Sequence, residues 1–420
     1  MKANGIAGYQ LFEAGSGIPI GPVESLSDEW VDLILHTLKE SERLGLEFAM
    51  HNCPGWSSSG GPWITPDKAM QIITWSETKI TGGKQVRIQL PTPKHMFDYY
   101  IDTYCLAIPA NMKVIPRLSI LELSNRLDKD GVLTWDIPAG EWLIMRFGQT
   151  AKDQKNKSAP SKSTGLDCDK FSTEALDYHL NCMFKRLMPT MEKIAKHSKI
   201  GLLIDSYETG DQDWTSDMPA YFEQSNGYEL YPFLPVLANK IVESEESTKR
   251  FLFDFRRVRA DMFAERYYGH FQKRCKEKGI ITYTEPYGGN MMEELQVAQQ
   301  LDINMGEFWC GQTVLWANYK YNRTVKQVAS IAHTLGGKVV GAEAFTSEPD
   351  ADKWLQYPYA LKSLGDYMFT RGLSRIYFHR FAHQPHPTAA PGMTMGAWGL
   401  HFDRTNTWWK PGKAWIEYLN

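Results

Sequence analysis

Short apolar segments alternate with helical segments along most of the chain, and this alternation restricts the possible folds more than any other feature. Seven apolar segments are typical of strands, and they start near Gly8, Leu46, Gly201, Ile280, Asp302, Lys338 and Ser374. Strands that alternate with helices pair in parallel and connect by right-handed crossovers. The pattern therefore predicts an α/β fold, a (β/α)8 TIM-type barrel.

Seven strand–helix units are one fewer than such a barrel needs. The residues before Gly8 are typical of the end of a helix, so we expect the first strand upstream of residue 1. Residues 1–73 would then carry barrel strands 2 and 3, and residues 151–420 would carry strands 4 to 8. The last segment, from about Trp415 to Asn420, is predicted to stop inside the final helix.

The segment from 74 to 150 has a different texture from the rest of the chain. Alternating apolar stretches such as KQVRIQL, TYCLAIP and EWLIMRF are separated by Gly, Pro and Asp-Gly turns. That pattern predicts a small β-rich module inserted into the barrel. The polar residues 151–165, rich in Lys, Ser and Pro, are predicted to form the loop that returns to the barrel.

Charge and composition exclude several functional classes. The chain has 420 residues and a net charge of −3, with no basic stripe that could neutralise nucleic-acid phosphates. No apolar run approaches the roughly 20 residues that span a bilayer. There is no GxSxG elbow and no CxxC pair, which argues against serine hydrolase chemistry and zinc ribbons. We expect neither a nucleic-acid nor a membrane partner.

Polar side chains recur where the predicted strands run out. Four strand ends carry a glutamate within SYE, TEPY, GEFW and AEAF, namely Glu208, Glu285, Glu307 and Glu343. Two other strands end in the pairs His51-Asn52 and His379-Arg380. In a parallel barrel these ends meet on one face. The sequence therefore predicts a polar pocket lined by several carboxylates.

Paired carboxylates are the groups that cleavage of a glycosidic bond requires. One protonates the leaving oxygen, and the other acts as nucleophile or activates water. Further carboxylates could bind sugar hydroxyls or hold Ca²⁺, which prefers oxygen ligands. Aromatic and histidine side chains near the strand ends would contact the sugar, and these are Trp56, Trp309 and His383.

Several long motifs resemble glycoside hydrolase family 106, the α-L-rhamnosidases. They are HNCPGWSSSGGPWITPDKAMQ, GLDCDKFS, DSYETGDQDWT, GEFW, VVGAEAFTS and the tail FHRFAHQPH…PGMTMGAWGLHFDRTNTWW. The resemblance implies a barrel that removes α-linked L-rhamnose from plant-type glycans with inversion, often with calcium. By position, Glu208 matches the general acid, Asp205 the carboxylate that tunes it, and Glu343 the general base. Such enzymes act in the periplasm or outside the cell.

Two alternatives stay open. A retaining barrel glycosidase acting on another sugar would use the same acid with a covalent glutamate nucleophile. In inverting enzymes the two carboxyl groups lie roughly 6.5–9.5 Å apart, and in retaining enzymes about 5–5.5 Å. The chain could instead be a carbohydrate-binding fragment without activity, using its Trp-rich loops. The roles of Glu285 and Glu307, in substrate or metal binding, also stay open.

Overall fold

A computed structural model describes residues 1–16, 19–310, 314–347, 354–386, 388–393 and 399–420, without the side chains of residues 314–322. Fifteen strands lie within these ranges: β1 Gly8–Leu11, β2 Glu47–His51, β3 Gln71–Thr81, β4 Lys84–Gln89, β5 Ile101–Pro109, β6 Val114–Ile115, β7 Leu121–Glu122, β8 Val132–Ile137, β9 Glu141–Ala151, β10 Ile200–Ile204, β11 Ile241–Val242, β12 Ile281–Thr284, β13 Ile303–Cys310, β14 Val340–Ser347 and β15 Arg375–Phe378.

The helices of these ranges are α1 Asp28–Leu44, α2 Thr173–Phe184, α3 Met188–Ala195, α4 Met218–Asn226, α5 Leu234–Leu237, α6 Glu245–Met262, α7 His270–Lys276, α8 Glu294–Ala298, α9 Val314–Thr334, α10 Pro358–Thr370 and α11 Lys413–Leu419. The Ser27 hydroxyl caps α1 by accepting a hydrogen bond from the Trp30 amide. No helix among the described residues is both long and apolar enough to cross a membrane.

Seven strands form one parallel sheet in the order β1-β2-β10-β12-β13-β14-β15. This sheet confirms the predicted strand–helix alternation and is consistent with a barrel. Strands β1 and β15 lie at its two ends. The eighth strand, upstream of residue 1, stays a prediction.

Alternate residues of each strand face opposite sides of the sheet. Ala49, Leu203, Tyr283 and Met305 share one apolar cluster in the lumen, the inner side of the curved sheet. Their neighbours Phe48 and Met50, and the equivalent residues of β10, pack outward against the helices. Because strand side chains alternate with a period of two, each residue two positions after a lumen residue also faces the lumen.

Between β2 and β10 the chain forms antiparallel sheets. One has the strand order β3-β9-β5-β7, and a second pairs β4 with β8. Trp135, Leu133 and Ile144 belong to the separate apolar core of these strands. The sheets lie in the region that the turn-rich pattern marks as β-rich, and the domain boundaries at 73 and 151 stay predictions.

The sequence between the predicted strands favours helices from about Thr173 to His197, from about 249 to 278 and from about 351 to 371, and the first two differ from the observed helices. The helix expected from Thr173 to His197 is two helices, α2 and α3, because Pro189 at the start of α3 cannot donate the backbone hydrogen bond that a continuous helix requires. The helix expected from about 249 to 278 contains a π-helical segment, Phe263–Gly269, between α6 and α7. Tyr267 and Tyr268 of this segment are buried in the core.

Strands β13 and β14 extend further than the sequence predicts. Glu307 and Glu343 were expected just after their strands, but both lie within them and are directly paired across the sheet. The parallel partner continues each hydrogen-bond ladder beyond the apolar residues. The predicted helix over about 351–371 begins at Pro358, and residues 351–353 lie outside the described residues.

Candidate active site

Four carboxylates face the lumen because each follows an inward-facing residue by two positions. Asp205 follows Leu203, Glu285 follows Tyr283, and Glu307 follows Met305. Glu343 pairs with Glu307 in β13 and with Tyr377 in β15, and Tyr377 packs against the same lumen cluster. The strand ends thus bring together side chains that are far apart in sequence.

Three of these groups lie in contact range. Carboxylate oxygens of Asp205, Glu285 and Glu343 all lie within 4.8 Å of one another. Asp205 and Glu285 are 6% and 1% exposed. Burial, followed by the charge of Glu343, raises the pKa of Asp205 well above its ordinary value. Burial, followed by the charges of Asp205 and Glu343, raises the pKa of Glu285 in the same way.

Glu307 extends the group along β13. The indole N–H of Trp309 donates a hydrogen bond to it. Burial, and then the charge of Glu343, raises the pKa of Glu307 well above its ordinary value. Tyr287 donates a hydrogen bond of 2.5 Å from its hydroxyl to Glu285. Asp205, Glu285 and Glu307 therefore keep their protons to a higher pH than ordinary carboxyl groups, or share a cation.

Glu343 is held in place by a series of hydrogen bonds. The hydroxyl of Thr346 donates to Glu343 Oε1 at 2.5 Å and lies 3.2 Å from Nδ1 of His379. Burial lowers the pKa of His379, so its neutral ring can donate from Nδ1 to the Thr346 oxygen. This arrangement orients Glu343, as a general base requires.

His51 and Asn52, predicted to contact substrate, are 1% and 0% exposed. Burial lowers the pKa of His51 to about 4. Its neutral ring accepts a hydrogen bond from the Asp205 amide at Nε2, 3.3 Å away, and Nδ1 lies 3.0 Å from the Cys53 carbonyl oxygen. Asn52 lies 3.5 Å from the hydroxyl of Tyr267. In this structure both residues make intramolecular contacts, and His51 positions the backbone of Asp205.

Glu208 lies apart from the other carboxylates, at the rim. Its side chain is 38% exposed and forms an ion pair with Lys157. The indole N–H of Trp56 donates to Glu208 Oε2 at 3.3 Å, and the Ser206 hydroxyl donates to Oε1 at 3.2 Å. The sequence predicted that all four glutamates after the strands converge. The buried lumen group contains three of them together with Asp205, and Glu208, four residues beyond β10, lies at its exposed side, where its charge still contributes to the raised pKa of Asp205.

The residues after β15 differ in exposure. Arg380 is buried, and its amide donates to the Leu400 carbonyl at 2.9 Å, which ties the tail to the lumen. His383 is exposed. Arg380 is therefore the more enclosed of the two.

Sequence reasoning missed three residues of the site, Tyr287, Thr346 and Lys157. Tyr287 follows Glu285 by two positions, and Thr346 follows Glu343 by three, so proximity to a candidate carboxylate could have indicated both. Lys157 is one of four lysines in the 151–165 loop. No sequence signal distinguishes it from the other three.

A family model described as alpha-L-rhamnosidase, glycoside hydrolase family 106, matches residues 1–103 and 94–420. The chain belongs to this family. The motif resemblance is thereby confirmed over the whole chain. The family is one of glycosidases, the class of enzyme that the paired carboxylates also indicate.

Two family-level comparisons add detail. A Formosa agariphila protein, whose name describes it provisionally as a beta-glucuronidase, is 39% identical over 450 aligned residues. They include all of this chain, which spans 38% of that relative's length. The solved rhamnosidase of Novosphingobium sp. PP1Y superimposes with a TM-score of 0.89 at 21% identity, over 100% of this chain and 56% of that one. At this identity the likeness establishes the fold.

Proposed function

We propose that this chain forms the catalytic barrel of an inverting glycosidase that removes terminal α-L-rhamnose from oligo- or polysaccharides of plant type. The observation that carries the proposal is the group of lumen carboxylates with Glu208 at its rim. Membership of the rhamnosidase family supports rhamnose as the sugar. As in the sequence analysis, we propose a periplasmic or extracellular location from the family resemblance.

In this mechanism the sugar ring occupies the lumen and the aglycone faces the rim. Glu208 protonates the departing glycosidic oxygen, because it lies at the exposed side next to Trp56. Glu343, oriented by Thr346, removes a proton from a water molecule that attacks the opposite face of the ring. Asp205 is near both of these residues, because it comes three residues before Glu208 in sequence and belongs to the same carboxylate group as Glu343.

The group formed by Asp205, Glu285 and Glu343 fits a calcium ion. All of the donors are oxygens, and Glu285 Oε1 accepts no hydrogen bond from an N–H or hydroxyl of the described residues. Ligands about 2.4 Å from Ca²⁺ lie at most about 4.8 Å apart, and one oxygen of each of the three carboxylates lies within 4.8 Å of the others. Bound calcium would neutralise these carboxylates and orient sugar hydroxyls.

A retaining mechanism is the second candidate. Carboxylates within 4.8 Å of one another approach the spacing of about 5–5.5 Å that a nucleophile and its acid require. Glu285 or Glu343 would then attack the sugar. The anomer of the first product decides between the two, because inversion and retention give opposite configurations in a proton NMR time course.

The first experiment compares two rhamnosides, one with a 4-nitrophenyl and one with a sugar leaving group. Glu343→Gln should lower kcat on both by about 10²–10⁴-fold. Glu208→Gln should affect mainly the sugar substrate, because 4-nitrophenolate leaves without a proton. Glu223→Gln, an exposed carboxylate on α4, is the matched control.

Two outcomes would contradict the proposal. One is wild-type turnover by Glu343→Gln on both substrates. The other is cleavage of 4-nitrophenyl β-glucuronide, and of no rhamnoside, by the wild-type chain. That result would favour the activity for which the Formosa agariphila relative is named. The crowding of carboxyl groups in the lumen argues against that second outcome, because the carboxylate of a glucuronide ring would add to the repulsion that already raises the pKa values of Asp205, Glu285 and Glu307.

A further inference from the structure

The rim next to Glu208 carries a fixed positive charge that the proposed mechanism does not use. Lys157 forms an ion pair with Glu208, and its side chain is 49% exposed. A general acid must carry a proton, and a protonated carboxyl no longer forms an ion pair. In the catalytic state Lys157 would therefore need another anion.

The backbone around Lys157 is held firmly against the rim. The Trp56 amide donates to the Lys157 carbonyl at 3.1 Å, and the Gly15 amide donates to the Ser158 carbonyl at 2.9 Å. At Gly55, which has φ of +83°, an added Cβ would lie 2.1 Å from the Lys157 oxygen. The two loops thus pack too closely for any side chain at position 55. These contacts fix the backbone position of Lys157 at the rim.

The other lysines of the same loop have partners away from Glu208. Lys152 donates to the Asp211 carbonyl at 2.6 Å, Lys155 lies 3.6 Å from Asp153, and Lys162 lies 3.1 Å from Glu24. Lys157 is therefore the lysine of this loop that faces the leaving-group side of the site.

The two sides of the scissile bond differ in their tolerance for an anion. In the lumen, burial and mutual repulsion already raise the pKa values of Asp205, Glu285 and Glu307, so a further negative charge is disfavoured there and an uncharged deoxysugar is favoured. Lys157 adds a positive charge on the outer side of Glu208. A substrate that is neutral in the lumen and anionic at the rim would match both.

We propose that Lys157 is a specificity-determining residue that binds an anionic group, a carboxylate or a sulfate ester, on the sugar next to the terminal rhamnose. This inference rests on the proposed rhamnosidase function. When the aglycone anion pairs with Lys157, Glu208 is released from its ion pair and is free to carry the proton that it donates. No such exchange is available to a neutral aglycone.

The test uses three rhamnosyl disaccharides, one with a hexuronate aglycone, one with the methyl ester of that hexuronate, and one with a sulfated neutral hexose. The wild-type chain should cleave at least one anionic disaccharide with kcat/KM about tenfold above the ester, as expected for a hydrogen bond to a charged group. Lys157→Met should remove this preference, mainly through KM. Lys162→Met, which alters a lysine paired with Glu24, is the control and should keep it.

Binding gives a readout that is independent of turnover. Calorimetry with Glu343→Gln should show weaker binding of the preferred anionic disaccharide once Lys157→Met is added, and unchanged binding of the ester. A wild-type preference for the ester, or a preference that survives Lys157→Met, would overturn the inference. Failure to cleave any rhamnoside, including 4-nitrophenyl rhamnoside, would count against the proposed function instead, and the binding comparison would still decide on Lys157.

Discussion

Glu285→Gln is the substitution that tests the lumen carboxylates most directly. Two unit charges 4.8 Å apart repel by about 3 kcal/mol at an effective dielectric constant of about 20. Glu285 has two such neighbours, Asp205 and Glu343. Because its raised pKa lets a proton relieve part of this repulsion, we expect the metal-free variant to be more stable than the wild type by about 1–3 kcal/mol at pH 7.

The pH dependence of folding stability tests the sign of this stabilisation independently. The pKa of Glu285 is raised in the folded chain, so the folded state binds more protons than the unfolded state above the ordinary glutamate pKa. The stability of the metal-free wild type should therefore fall as pH rises from that ordinary value through the raised one. Glu285→Gln removes one titrating group, so its melting temperature should decline less over this range.

The assay is thermal unfolding in EDTA between pH 4 and 8, followed by circular dichroism. At pH 7 the variant should melt about 2–5 °C above the wild type. Adding CaCl₂ should then raise the melting temperature of the wild type more than that of the variant, since a calcium ligand is lost. A variant that melts below the wild type in EDTA at pH 7 would refute the argument from repulsion. Glu223→Gln should change neither curve.

Three further substitutions probe the surroundings of the site. Lys170→Met leaves the buried charge of Asp167 unpaired, since both side chains are 0% exposed, and should cost about 3–5 kcal/mol in urea unfolding, partly restored by adding Asp167→Asn. Thr346→Val removes the hydroxyl that donates to Glu343 and should lower kcat about 10–100-fold at an unchanged melting temperature, whereas Thr346→Ser should retain activity. Tyr267→Phe deletes a buried hydroxyl bonded to the serine-rich loop and should cost about 1–2 kcal/mol; an unchanged urea midpoint would show that this bond adds no net stability.

Much of the fold could be predicted from local sequence periodicity. The spacing of Trp30, Val31 and Ile34 predicts α1, and Ser27 marks its first turn, because a helix buries one face and needs a cap at its start. The apolar segments at Leu46 and Gly201 likewise predict β2 and β10. Such patterns are local, and each segment satisfies them mostly by itself.

The carboxylates were also visible in the sequence. Glu285, Glu307 and Glu343 follow apolar strand residues, and the rule that parallel strand ends meet on one face predicts that they converge. The family motifs include Glu307 and Glu343, and they indicated the class of enzyme. The sequence by itself therefore determined the strand order along the chain, the face that carries the site and the family.

Only the tertiary structure decided how each group is used. Glu208 lies at the rim with Lys157, and His51 is buried beside Asp205, although both residues come after an apolar segment of the sequence. Glu208 and Lys157 are 51 residues apart in sequence, and His51 and Asp205 are 154 residues apart. Burial and charge at a site depend on which distant segments pack against it, and no local pattern of residues encodes those contacts.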